Sequence, residues 1–85
     1  MIRKPAVAGF FYSDDPGQLN QDLDGYLRLE ESAVPSKALG VISPHAGYIY
    51  SGGVAGKLFA TTELTDQFIV LCPKHYAEGD DAAII

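Results

Sequence analysis

Apolar positions along this chain change their spacing several times, and each change marks an element. Between Gln18 and Leu29 the apolar residues Leu19, Leu23, Tyr26 and Leu27 recur at helical spacing, with Asn20, Gln21, Asp22 and Asp24 largely on the other faces. Asp14-Asp15-Pro16 supplies an acidic cap and a proline suited to a first turn, so the helix is predicted to start there. Its predicted end is the Glu30-Glu31-Ser32 stretch before Pro35. Upstream, residues 1–12 read as extended, with Pro5 opposing an early helix and Gly9 giving a bend.

Two short runs have no helical period. Ala38 to Ser43 ends at Pro44, and Phe68 to Cys72 lies between Asp66 and Pro73. Unbroken apolar runs of this length suit strands of a parallel sheet covered on both faces. Between them, Ala55, Leu58 and Phe59 predict a helix over Val54–Ala60, with Ser51 or Gly52 as its cap. The order strand, helix, strand from Leu39 to Leu71 is that of a βαβ unit. The expected class is therefore α/β, a mostly parallel sheet flanked by helices.

A further apolar run opens at Ala82 and reaches only Ile85, after the turn-like Glu78-Gly79-Asp80-Asp81. A domain rarely closes its core one turn into a new element. Residues 1–85 are accordingly read as the N-terminal part of a single larger domain. An open sheet of this kind leaves an unpaired edge and an uncovered face, which invites self-association.

Composition narrows the function classes. The net charge of −5, with only six Lys and Arg, opposes a nucleic-acid surface. The apolar runs are too short to span a bilayer, and the glycine-broken N-terminus does not form a secretory signal. The expectation is a cytoplasmic protein without membrane or nucleic-acid partners. A lone Cys72 excludes an internal disulfide, and its place in an apolar run reads as a buried small hydrophobe.

The chemistry-bearing residues are His45 and His75. Each follows the end of a predicted strand by two or three residues, and in each case a proline, Pro44 or Pro73, comes directly after the strand. Parallel strands would bring both imidazoles to the carboxyl edge of the sheet, where open α/β folds place ligands. Adjacent strands lie about 4.8 Å apart, so the two rings could share a metal ion. A hydrogen-bonded structural role for each histidine is the competing reading. Gly52-Gly53-Val54-Ala55-Gly56-Lys57 fits neither a phosphate loop nor a dinucleotide fingerprint. Its glycines are read as letting a helix start close to the sheet, with a helix N-terminus near Gly53 able to attract an anionic group. Phe10, Phe11 and Tyr12 read as core more than pocket.

Taken together, three segments resemble the Memo family: Pro5-Ala6-Val7-Ala8-Gly9-Phe10-Phe11-Tyr12, Pro44-His45-Ala46-Gly47-Tyr48-Ile49-Tyr50-Ser51-Gly52 and Val70-Leu71-Cys72-Pro73-Lys74-His75. The resemblance implies a fold similar to class III extradiol dioxygenases. It implies an iron or copper ion held by His45 and His75, with a cysteine ligand far downstream that is not Cys72. It also sets Phe11 and Tyr50 near the pocket. Cys72 and Lys74 depart from the family's pattern, since a glycine and a Ser or Asn are usual at these positions. The function implied is a metal-dependent oxidoreductase or dioxygenase-like protein of unassigned substrate, inactive in this portion alone. The alternatives are a non-enzymatic module binding a peptide or small molecule in signalling, or an accessory component of a radical enzyme system.

Overall fold

Asp15 starts the first helix. Its carboxylate accepts the Gln18 backbone N–H at 2.9 Å, and Pro16 follows in the first turn, where a missing N–H costs nothing. The resulting helix, α1 (Pro16–Tyr26), is followed by α2 (Tyr48–Ala60) in the computed structural model, which describes residues 2–76, 78 and 79. The second short helix face predicted at residues 54–60 is thus only the end of a longer element. Gly47, not Ser51 or Gly52, is the N-cap of α2. The helix begins six residues before Val54 because Tyr48 is held at both ends of its residue. Its N–H donates to the Phe11 carbonyl at 2.7 Å, and its ring packs against Tyr12 and Tyr26. Consequently the backbone near Gly53 is helix interior, not a helix N-terminus.

α1 stops after Tyr26, earlier than the Glu30-Glu31-Ser32 stretch, with Leu27 closing it through an N–H to the Leu23 carbonyl. Tyr26 is also the residue at which α1 meets α2 most closely. A Cβ added to Gly52 would stand 2.8 Å from the Tyr26 ring, and one added to Gly56 would overlap the Tyr26 backbone carbonyl. Ser51, Gly52 and Gly56 are the buried residues of α2. These glycines therefore bring helix to helix, not helix to sheet, since bulk at either position would hold the axes apart.

The N-terminal segment folds back on itself. Gly9, with φ of 82°, lets its own N–H reach the Tyr12 carbonyl while Phe10 and Phe11 both donate to Val7. The bend expected at Gly9 is present, within a tight turn and an isolated bridge between Ala8 and Tyr12. Phe10 projects outward and is exposed, contrary to a core placement, because this turn docks on α2 through Phe11 and Tyr12 only.

A second isolated bridge, Ser36 to Thr62, is parallel, with Ser36 donating to Thr61 and Glu63 donating back to Ser36. From that point the chain leaves twice without regular secondary structure, at residues 37–46 and 64–75, with bends at Leu39, Ala46 and Asp66. Among the described residues no strand ladder joins these stretches, and no backbone–backbone hydrogen bond is made within 37–46 or 64–73. The described residues contain no fully buried large side chain. Cys72 is exposed, unlike the buried position expected for it, because nothing described covers its run. The segment from Ala82 and the Asp80-Asp81 turn lie outside the described residues.

Candidate metal centre

His45 is carried by the short link between the first run and α2. Pro44 restricts the backbone before it. After it, Ala46 and Gly47 are tied to the helix by Ser51, whose hydroxyl lies 2.7 Å from the Ala46 carbonyl and 3.3 Å from that of Gly47. Ser51 is only 7% exposed, so this bond is sheltered from water and anchors the loop. His75 follows the second run after Pro73 and Lys74. The Lys74 ammonium donates to the Gly79 carbonyl at 2.7 Å, within the segment that follows His75.

These two links bring the imidazoles together. The ring centres of His45 and His75 are 5.3 Å apart, with planes inclined by 35°. Both histidines are exposed. Two imidazoles on one ion, at metal–nitrogen distances of about 2.0–2.1 Å and a near-tetrahedral angle, have ring centres roughly 5 Å apart. The pair therefore has the spacing for two neighbouring ligand positions, although a tilted aromatic pair has a similar separation. Among the described residues, no group of three or more His, Cys, Asp or Glu side chains converges on one point. Among the described residues the donor set at this point is the two imidazoles.

A cavity of about 380 Å³ opens beside His45, between the N-terminal turn and the two helices. Phe11, Tyr12, Tyr26 and Tyr48 give it aromatic walls, and Ser51 and His45 supply polar atoms. Phe11 thus stands on the cavity. Tyr50 does not line it and is 84% exposed, one turn into α2, where its ring lies near Gly47. His75 is likewise outside the lining, although its ring is 5.3 Å from that of His45.

Sequence reasoning missed Ser51 as the anchor of the His45 loop, and it missed the cluster of Tyr12, Tyr26 and Tyr48. A signal for the first was present. Once Gly47 is taken as the cap, Ser51 falls one turn into the helix, where a serine hydroxyl can reach back to the i−4 carbonyl.

With this geometry in view, comparison with known proteins places the chain. The family model described as "Memo-like protein" matches residues 3–85. The chain belongs to the Memo-like family. Its curated relatives include the MEMO1 family protein of Pyrobaculum arsenaticum, 38% identical over 99% of this chain and 34% of the relative. The MEMO1 family protein of Methanothermobacter thermautotrophicus is 34% identical, covering 100% of this chain and 34% of its own length. That of Aquifex aeolicus is 36% identical over 98% of this chain and 31% of the relative. This Memo-like chain thus spans about a third of the length of the relatives it matches. No solved structure matches it. Among the described residues, no helix is long and apolar enough to cross a membrane.

Proposed function

We propose that this Memo-like chain contributes His45 and His75 to an iron or copper centre in an oxidoreductase or dioxygenase-like protein. The observation that carries the reading is the 5.3 Å separation of the two exposed rings at the ends of the two runs. Imidazole donors suit either ion, and a centre with so few protein ligands keeps positions open. When bound, such an ion supplies Lewis-acid polarisation and one-electron chemistry to a substrate or oxygen.

The chain's own residues do the positioning. Pro44 and the Ser51 hydroxyl fix the loop that presents His45, which limits the freedom lost when the imidazole takes a ligand. Phe11, Tyr12 and Tyr48 wall the adjoining cavity and suit an apolar or aromatic portion of a substrate. The third donor is expected outside the described residues, and two imidazoles alone make a weak site.

Metal content measured by mass spectrometry tests this, on protein purified anaerobically without chelator beside His45→Ala and His75→Ala. Copper(II) added to each sample then gives a second readout through nitrogen hyperfine structure in its electron spin resonance spectrum. One bound ion carrying two imidazole nitrogens is expected, with affinity falling at least roughly tenfold in each variant. Equal and negligible metal in all three would overturn the proposal and favour a ligand-binding module.

A further inference from the structure

Near each histidine of the pair, a polar side chain reaches a backbone carbonyl five positions away. For His45 that side chain is Ser51, which holds the carbonyl of Ala46, the residue just after the imidazole. For His75 it is Lys74, the residue just before it, whose ammonium donates to the Gly79 carbonyl at 2.7 Å. Ser51 works from inside α2, in a sheltered place. Lys74 works on an exposed stretch, and its contact joins the chain just before His75 to the chain beyond it.

Gly79 is suited to receive that contact. Its φ is 88°, in the left-handed region that residues other than glycine rarely adopt. A Cβ added there would meet nothing within 4 Å, so backbone conformation and not space selects the glycine. A charged donor on a carbonyl also makes a stronger bond than a neutral one. With the two sides of His75 joined, its backbone has fewer conformations to lose when the ring takes its place 5.3 Å from that of His45.

We infer, on the reading of the two histidines as donors to one ion, that Lys74 is a positioning residue for His75. It acts through the Gly79 carbonyl to hold the imidazole opposite His45. Charge and positioning act in opposite directions here. A lysine next to a cation site opposes the cation, so removing its charge alone would raise metal affinity. Where the lysine positions His75, the same removal lowers it.

Copper(II) titration of the full chain tests the sign, with Lys74→Met, Lys74→Arg and Gly79→Ala beside wild type. Lys74→Met is expected to bind copper about three- to tenfold more weakly. Lys74→Arg still offers N–H donors to the carbonyl and should stay within about twofold of wild type. Gly79→Ala displaces the acceptor and should weaken binding as Lys74→Met does. The two changes combined should be no weaker than the worse of them alone, since both break one contact. A metal-free readout accompanies the titration. With chelator present, the nuclear Overhauser effect between the imidazole protons of His45 and His75 should weaken in Lys74→Met and survive in Lys74→Arg.

Unchanged or tighter copper binding in Lys74→Met overturns the inference, and so does an imidazole contact that Lys74→Met leaves intact. Additive losses in the combined variant overturn the route through Gly79. A wild-type chain that binds no copper through two imidazole nitrogens overturns the metal reading instead. The imidazole contact then still decides whether Lys74 positions His75.

Discussion

The helical pair and the two runs that leave it differ in what they bury: among the described residues the buried ones, Ser51, Gly52 and Gly56, all lie on α2. In the interiors of α1 and α2 backbone groups find their partners within a few residues, so these stretches form largely from local signals, the Tyr48 N–H bonded to Phe11 being an exception. Asp15 caps one helix, Gly47 opens the other, and Gly52 and Gly56 bring them together at Tyr26. The runs at 37–46 and 64–73 have stronger apolar character but no local route to hydrogen bonding. A strand is completed by a distant neighbour, and among the described residues the Ser36–Thr62 bridge joins the chain only just ahead of the two runs. The difference shows why the histidines depend on both regions: His45 is anchored by a helix, whereas His75 follows a run without regular secondary structure.

The sharpest way to break this contrast is at Gly56. Gly56→Ala adds one methyl group where the Tyr26 carbonyl already sits, and backbone atoms cannot rotate away from it. Alanine gains about 1 kcal/mol in helix propensity. Overpacking against backbone more than cancels that gain, leaving a net destabilisation of about 2 kcal/mol or more. A urea melt followed by helical circular dichroism should show an earlier midpoint. An unchanged midpoint would mean that the approach of α1 to α2 is not what holds the helical region together.

How much of this was legible in the sequence follows the same division. The α1 start was readable because Asp15 and Pro16 act within one turn. The Gly9 bend was readable because a positive φ selects glycine. The true start of α2 was hidden, because it depends on Phe11 accepting the Tyr48 N–H from 37 positions away in the chain. The burial of Gly52 and Gly56 was equally hidden, since their neighbour Tyr26 is on another element. For the site, His45 and His75 were expected to meet at the edge of a parallel sheet; their rings lie 5.3 Å apart, although among the described residues no strand ladder joins the two runs that carry them. The cavity beside His45 was not readable, because its walls come from three separate segments.

A smaller effect is expected where the two regions join. Ser51→Ala removes the hydroxyl that holds the Ala46 and Gly47 carbonyls from inside α2. The loss of a sheltered hydrogen bond costs about 1 kcal/mol, offset in part by the better helix propensity of alanine. The helix itself should persist, so far-ultraviolet signal at low denaturant stays unchanged while the midpoint falls slightly. Copper affinity should fall as well, because the loop presenting His45 loses its anchor. Lower stability with unaltered copper binding would show that the loop is fixed by Pro44 and the Phe11–Tyr48 bond without the serine.

Gly53 offers the gentlest test, and its sign is opposite. It lies between two residues of the same helix that tolerate no bulk, yet a Cβ at its own position meets nothing within 4 Å. Gly53→Ala should therefore stabilise the helical pair by about 0.5–1 kcal/mol, through the lower backbone entropy of alanine in the unfolded chain. The midpoint of the urea melt should rise. If Gly53→Ala instead destabilised as Gly56→Ala is expected to, the face of α2 carrying Gly53 would have to be covered by a partner. The division between a packed helical face and an open extended one would then be drawn in the wrong place.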